Sequence, residues 1–352
     1  MMLELILTEL ADPTTKLTEF LEKLVHLDDV EPVRALANEA FAEGDPNVKF
    51  RMISQATAVN PFFVPVLAAG ADAKQVFNMD AWCKSIAMAR MVAANTKTNR
   101  ILVSSAPKTG STFIAGAISR AFDLKRVSLT LLSAKPYGHV SFGGALRDHD
   151  VDELTLITAT FNPKGFLAHH HMICTPYLAK QMSLYGVTPI ITKRNIFDTF
   201  VSFDDHIRKV YASVPEANFL RLGFPAEWIE MDFDDRIDML LDLQLLWYAK
   251  YYSSWKLCEA QGQTKPLWIS YEQDLKGDSE VLATRICEAL GRPEEAIPEL
   301  AAALGQNGTK GEHFNKGING RGEAITGKNR QRIKDFFHKY RMLADFSDIL
   351  EP

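Results

Sequence analysis

The chain has 352 residues, 47% of them hydrophobic, which is enough to bury a large core and to build one large domain with a smaller unit beside it. Its formal charge of −5 gives no support for a nucleic-acid partner or an anionic membrane surface, and none is expected, so any anion must be bound by local basic groups. The four cysteines show neither metal-ligand spacing nor a disulfide framework, which predicts reduced, buried thiols.

The beginning of the chain predicts neither an export signal nor a membrane segment. Residues 1–7 include Glu4 and lack the basic start and long apolar core of a signal peptide. No apolar run reaches the length needed to cross a bilayer. We therefore expect a cytoplasmic protein.

Residues 1–97 are predicted to form an all-helical N-terminal region. Apolar residues recur at helical spacing from Thr15 to about Asn95, and Pro- and Gly-containing breaks divide this stretch into short helices. We favour packing against the main domain as its role. Binding of a partner, or formation of a homo-oligomer through these helices, is the alternative.

The main domain, residues 98–352, is predicted to be α/β, with a parallel sheet flanked by helices. Short apolar runs typical of buried strands alternate with segments of helical period. The predicted strands are 101–103, 154–157, 165–168, 188–192 and 267–270. The predicted helices are 113–122, 176–184, 196–202, 236–260, 279–290 and 328–340. Ligands of such sheets bind beyond the carboxyl ends of the strands.

The first predicted strand is joined to its helix by a short loop rich in hydroxyl groups, Ala106-Pro107-Lys108-Thr109-Gly110-Ser111-Thr112. Such a turn directs backbone N–H groups and the positive end of the helix dipole at one point, so it suits a phosphate-like anion. In the nucleotide-triphosphatase loop the lysine directly follows the second glycine. Here Lys108 precedes Gly110, so that pattern does not fit.

The run Pro107 to Thr112 resembles instead the 5′-phosphosulfate loop, P-K-[ST]-G-[ST]-[ST], of the sulfotransferases that use 3′-phosphoadenosine 5′-phosphosulfate (PAPS). Residues 193–202 resemble the second signature of that family, R-N-P-x-D-x-x-V-S, in which Arg194 and Ser202 keep the spacing of eight. Ile196 replaces the proline, as in bacterial-type members. His171 stands 23 residues before Arg194, at the distance of the family's catalytic histidine.

The resemblance covers about residues 100–330 and implies a P-loop-like sulfotransferase fold, with PAPS as co-substrate and 3′-phosphoadenosine 5′-phosphate (PAP) as product. The nucleotide-binding residues that it implies are Lys108, Thr109, Gly110, Ser111, Thr112, Phe113, Arg194, Ser202, Tyr271, Asn315, Lys316 and Gly317. Within this set, Phe113 and Tyr271 are expected beside the adenine base. Arg194, Ser202 and residues 315–317 are expected at the 3′-phosphate, where Asn315 replaces the family's arginine.

The resemblance also implies a mechanism without a metal ion. Lys108 would neutralise the oxygen that bridges sulfur and phosphorus, and the Ser111 and Thr112 hydroxyls would hold the 5′-phosphate. His171 would remove the acceptor proton, which suits a side chain whose ordinary pKa is about 6.5. His169 stands where cytosolic members often have a lysine. Whether His169 or His170 supports His171 stays open.

The acceptor is expected to be a small molecule or a lipid that offers a hydroxyl or, as second choice, an amine. Two irregular segments, residues 137–150 and 207–235, are predicted to select it. The alternative functions are an ATP-dependent small-molecule kinase of the P-loop class and a non-catalytic nucleotide-binding scaffold that works through its helical N-terminus.

Overall fold

A computed structural model describes residues 19–20, 23–24, 26–42, 56, 60, 79–130, 150–210, 223–305 and 320–351. Three of the predicted nucleotide-binding residues, Asn315, Lys316 and Gly317, lie outside the described residues. So do residues 137–149 and 211–222, which belong to the two segments predicted to select the acceptor.

The described part of the main domain is built on a five-stranded, fully parallel sheet, which confirms the predicted α/β class. The strands are β1 (Arg100–Ser105), β2 (Lys125–Val127), β3 (Phe166–His170), β4 (Val187–Lys193) and β5 (Leu267–Ser270). Their order is β2-β3-β1-β4-β5, so β1 is central and pairs with both β3 and β4. All six residues of β1 are buried, because both faces of a parallel sheet are covered.

Helices cover both faces of this sheet. In chain order, the described helices are α1 (Val30–Ala42), α2 (Met79–Asn95), α3 (Ser111–Ala121), α4 (Glu153–Thr160), α5 (Pro176–Leu184), α6 (Ile196–Val210), α7 (Phe233–Ala260), α8 (Ser279–Leu290), α9 (Ile297–Gly305), α10 (Gly327–Lys339) and α11 (Ser347–Leu350). Short 3-10 turns lie at Ala226–Glu230, Glu294–Ala296 and Arg321–Ala324, and a π-helical turn lies at Tyr271–Leu275.

The two layers of helices form two hydrophobic cores. Ile101 and Val103 of β1 pack into the core that contains α3, α8 and α9, whereas Leu102 packs into the larger core that contains α5, α6, α7 and α10. This division follows from the alternation of side chains along a strand. Because the helices cover the faces of the sheet, the loops that follow the strands lie at its edge, beyond the carboxyl ends of the strands.

Residues 154–157 were predicted to be a strand, and this prediction is wrong, because they lie in α4. Four apolar and β-branched residues do not distinguish a buried strand from a buried helix. Asp152 starts the helix as its N-cap, since its carboxylate accepts a 3.0 Å hydrogen bond from the Thr155 backbone N–H. Helix α6 also extends to Val210, beyond its predicted end at 202.

Several predicted boundaries are confirmed together with their chemical cause. Thr175 caps α5 by accepting a hydrogen bond from the Leu178 N–H, and Pro176 follows at the first helical position. Helix α8 ends at Leu290 and is capped by Gly291, whose φ of 61° is the left-handed conformation that favours glycine.

Helix α2 of the predicted N-terminal region contacts the main domain through a polar cluster. Arg90 forms an ion pair of 3.3 Å with Glu153, and Glu153 also accepts a 2.8 Å hydrogen bond from the Tyr185 hydroxyl. The four cysteines are free, as predicted, but Cys83 on α2 is exposed rather than buried. Among the described residues, no helix has the length and apolarity needed to cross a bilayer.

Candidate functional site

Residues predicted to bind or react follow four neighbouring strands at their carboxyl ends. Lys108 follows β1, His171 follows β3, Arg194 follows β4 and Tyr271 follows β5. Since β3, β1, β4 and β5 are adjacent in this order, the four side chains belong to one edge of the sheet. This edge is where parallel sheets bind their ligands.

The loop between β1 and α3 leaves the N-terminus of α3 without a side-chain cap. Gly110 precedes the helix with a φ of 84°, and a Cβ atom at this position would lie 2.6 Å from the Leu275 side chain and 3.0 Å from the Tyr271 ring. Both the backbone angle and the close approach therefore require glycine. An uncapped helix N-terminus of this kind suits an anion.

Buried hydrogen bonds hold the loop in place. The Thr109 hydroxyl donates to the Ala106 carbonyl at 2.7 Å and lies 2.6 Å from the Thr192 hydroxyl at the end of β4. The Tyr248 hydroxyl of α7 donates to the Pro107 carbonyl at 3.0 Å. The Thr109 side chain, predicted to bind nucleotide, is thus buried in contacts that fix the loop.

Lys108 has an unusual backbone and an unusual proton affinity. Its φ of 68° is the left-handed conformation, which a residue with a Cβ rarely adopts. Burial and then the positive charge of Arg194 lower the pKa of Lys108 to about 8, while Asp205 acts in the opposite direction. A lysine with this pKa is still mostly charged at neutral pH.

Arg194 is buried and makes contacts on three sides. It donates from Nη1 to the Lys108 carbonyl at 3.1 Å, and its guanidinium lies 4.0 Å from the centroid of the Tyr271 ring. Its Nη2 lies 3.8 Å from the Asp198 carboxylate. Arg194 and Lys108, which the sequence separates by 86 residues, are therefore neighbours.

His171 is oriented by the strand beside it. Its Nδ1 lies 2.7 Å from the Ser105 carbonyl oxygen and 3.2 Å from the Ser105 hydroxyl. Because a carbonyl can only accept, Nδ1 carries the proton and Nε2 is the accepting nitrogen of the neutral ring. The next residue, Met172, is fixed by hydrogen bonds from Ser104 and Trp255 to its carbonyl.

The other predicted binding residues of the described chain differ in their surroundings. Ser111 and Thr112 form the first turn of α3, and Phe113 packs against the core that contains α3. Ser202 is buried within α6, eight residues after Arg194. Tyr271 begins the π-helical turn after β5 and is mostly buried.

Asp198 is a residue of the site to which the sequence analysis assigned no role. Its carboxylate accepts hydrogen bonds from the backbone N–H groups of Gly320 at 3.0 Å and Gly322 at 2.5 Å. Asp205 binds the residue between them, Arg321, at 2.6 Å. One face of α6 thus holds the segment that follows residues 306–319. The acid of the R-N-x-x-D pattern was the signal that could have identified Asp198.

Glu272 has a similar anchoring role. The sequence analysis considered only the tyrosine of the pair Tyr271-Glu272, yet the Glu272 carboxylate accepts a 3.0 Å hydrogen bond from the Asn195 N–H. The Asn195 side chain in turn caps α6 by accepting from the Asp198 N–H at 3.0 Å. The end of β5 therefore supports the start of the helix that follows Arg194.

No group of three or more His, Cys, Asp or Glu residues suited to a metal ion occurs among the described residues. A surface cavity of about 400 Å³ lies at the opposite end of the sheet, where Lys97, Asn99, Phe122, Lys164 and Arg292 contribute to its lining. It is separate from the edge that carries Lys108 and His171.

No protein-family model matches the chain, and no curated protein does either. Solved structures do match it. One is a crystal structure of the mouse sulfotransferase SULT7A1 complexed with PAP, to which this chain is similar with 16% sequence identity and a TM-score of 0.46. That match covers 73% of this chain and 88% of the mouse chain.

Proposed function

We propose that this protein is a PAPS-dependent sulfotransferase, which moves a sulfuryl group to a hydroxyl or, as second choice, an amine of a small-molecule or lipid acceptor. The observation that carries the proposal is the convergence of Lys108, Arg194 and His171 around the loop after β1. Arg194 donates to the Lys108 carbonyl, and His171 donates to Ser105, three residues earlier in the chain. The helix N-terminus at Gly110 completes a site for a phosphorylated nucleotide.

The residues present suit a doubly phosphorylated nucleotide. The N–H groups at the start of α3, with Lys108, Ser111 and Thr112, would hold the 5′-phosphate. Arg194 and Ser202 would hold the 3′-phosphate, together with Lys316 and Gly317 as the resemblance implies. Tyr271, over whose ring Arg194 packs, would lie near the adenine, as the resemblance implies.

The proposed reaction is an in-line displacement at sulfur. A new bond forms between sulfur and the acceptor oxygen as the bond between sulfur and the bridging phosphate oxygen breaks. His171 Nε2 takes the acceptor proton, and Lys108 with the loop N–H groups stabilises the charge that develops on the leaving phosphate. Positioning and electrostatic stabilisation supply most of the catalysis in such transfers.

The decisive experiment measures transfer of label from PAPS to a library of hydroxyl and amine acceptors, with the His171→Ala variant beside the wild type. We expect the variant to lose activity by about 10²–10⁴-fold, because a positioned general base contributes that much. The matched control is His338→Ala, which removes an exposed histidine of α10. Unchanged turnover in His171→Ala would contradict the proposed base.

A calorimetric comparison separates the proposed function from the kinase alternative. PAP should bind to the wild-type protein, whereas ATP with Mg²⁺ should bind weakly, since Lys108 precedes Gly110 instead of following it. Preference for ATP with Mg²⁺ would favour the kinase. Binding of PAP without turnover of any acceptor would favour the scaffold.

A further inference from the structure

His169 reaches the phosphate loop from the neighbouring strand. It lies in β3, two residues before His171, and its Nε2 is 2.9 Å from the Ser111 hydroxyl oxygen at the first position of α3. The rings of His169 and His171 lie edge to face with their centroids 5.9 Å apart. The Ser105 hydroxyl lies near both, 3.5 Å from His169 Nε2 and 3.2 Å from His171 Nδ1.

The neighbours of His169 determine which of its nitrogens carries the proton. Arg126 Nη2 lies 3.5 Å from Nδ1, and a guanidinium can only donate. Nδ1 is therefore the accepting nitrogen, so Nε2 carries the hydrogen and donates to Ser111. Burial, followed by the neighbouring His171, Arg126 and His170, any of which opposes a further positive charge, holds the pKa of His169 well below its ordinary value, so the ring stays neutral.

This tautomer fixes the direction of the Ser111 hydroxyl. An oxygen that accepts from His169 must direct its own hydrogen elsewhere, and Ser111 stands where the N–H groups of the first turn of α3 meet an anion. We propose that His169 is a positioning residue that turns the Ser111 hydroxyl hydrogen toward the 5′-phosphate of the nucleotide. The inference rests on the proposed function, because it takes a phosphate as the ligand of that helix end.

The proposed role differs from that of a charged residue at the same place. A protonated His169 would add its own charge to the site, whereas a neutral His169 acts only through the serine. Glutamine should replace it, because its terminal N–H₂ can donate from about the position of Nε2. Leucine has a similar volume and no donor, so it should leave the Ser111 hydroxyl free to rotate.

The test is calorimetric titration with PAP of the wild type, His169→Gln, His169→Leu, Ser111→Ala and the double variant His169→Leu/Ser111→Ala. We expect His169→Leu to weaken PAP binding about tenfold, a typical loss for one hydrogen bond, and His169→Gln to restore most of it. The double variant should bind PAP no more weakly than Ser111→Ala. Thermal unfolding of each variant checks that it folds.

Nitrogen NMR of the imidazole provides a second measurement that needs no ligand. It should show Nε2 of His169 protonated and Nδ1 unprotonated, and the opposite tautomer would overturn the proposal. Equal PAP binding by His169→Leu and the wild type, failure of glutamine to restore binding, or additive losses in the double variant would also overturn it. Those results leave the proposed function standing, whereas a wild type that does not bind PAP defeats both.

Discussion

Lys108 combines a strained backbone with a charge that is easily lost. Its positive φ persists because the loop on both sides is held by Tyr248 and Thr109, so the surrounding contacts fix a conformation that a lysine alone would avoid. Burial, and after it the positive charge of Arg194, lower the pKa of this side chain to about 8. A lysine in this state responds to pH in a range where most lysines do not.

The affinity for PAP should therefore fall as the pH rises above about 8. Below the pKa the lysine is protonated and attracts phosphate; above it, binding must first restore the proton, so affinity declines by up to about tenfold per pH unit. The second ionisation of a phosphate has a pKa of about 6, so it is nearly complete above pH 8 and contributes little slope there. Calorimetry between pH 7 and 9.5 measures this decline.

Lys108→Arg is the control for this pH dependence, because a guanidinium stays charged throughout the range. The variant should bind PAP with an affinity that does not change between pH 8 and 9.5. A wild-type affinity that is flat over this range would show that Lys108 does not meet the phosphate.

The sequence was sufficient to predict that Lys108, His171 and Arg194 lie at one edge of the sheet, because each follows a strand of a parallel sheet. It was not sufficient to predict the contacts of His169. Its importance depends on Arg126 and Ser111, which approach it from β2 and α3 only in the folded chain. A sequence motif gives the order of residues along the chain. It does not show which hydrogen-bonding side chains of other elements will contact a histidine ring in the folded protein.

At the scale of elements, Asp198 joins α6 to the segment that follows residues 306–319. Its buried carboxylate accepts from the N–H groups of Gly320 and Gly322. A Cβ atom on Gly322 would lie 2.4 Å from the Phe197 side chain, so the two segments are in direct contact. The contact lies next to Arg194, and it brings residues 320–322 close to the candidate site.

The Asp198→Ala variant should lose about 2–4 kcal/mol of unfolding free energy, because it leaves the buried N–H of Gly322 and the partly buried N–H of Gly320 without a charged acceptor. Urea denaturation measures this loss. Asp335→Ala is the matched control, since that exposed carboxylate contacts Gln331 on its own helix, and it should change stability by less than about 0.5 kcal/mol. Equal effects of the two substitutions would contradict the anchoring role.

A buried ion pair joins α6 to α7. Arg236 Nε lies 2.7 Å from one Asp204 carboxylate oxygen, and Nη2 lies 3.3 Å from the other. Arg236→Met should cost about 3–5 kcal/mol of unfolding free energy, because Asp204 would remain buried and charged without its partner. The double variant Asp204→Leu/Arg236→Met should recover much of that loss. Urea denaturation of the single and double variants measures both effects.

The surface ion pair of Arg332 with Asp238 and Asp242 provides the comparison. Arg332→Met should cost no more than about 1 kcal/mol, because water reaches and screens these partly exposed charges. A similar cost for Arg236→Met would show that the pair between α6 and α7 contributes little to stability.

The errors at the scale of elements have a common origin. Helix α4 was predicted to be a strand because a short apolar run has no decisive period, and the capping residue Asp152 lies just outside that run. The strand 267–270 and helix α5 were predicted correctly because clear flanking signals bound them, among them Thr175 and Pro176. Helices and strands that are flanked by capping residues, proline or glycine are easier to predict than those that hydrophobicity alone identifies.

At the scale of the whole molecule, self-association through the N-terminal helices stays a prediction. Helix α2 uses Arg90 to contact Glu153 of the main domain, while the Met91 side chain beside it is 63% exposed. If α2 mediates association, Met91→Glu should reduce the mass measured by light scattering at a given protein concentration. A wild type that is already monomeric, or a variant of unchanged mass, would contradict this role.

The order of the strands has a consequence for how the protein matures. Lys108, His171, Arg194 and Tyr271, which are proposed to meet one ligand, follow β1, β3, β4 and β5, so they come together only after a stretch running from residue 100 to residue 271 has been synthesised and its crossover connections are complete. No shorter piece of the nascent chain brings them together. The nucleotide would thus bind only to a chain whose sheet is fully assembled. Its binding would stabilise that chain relative to the partly assembled forms that precede it.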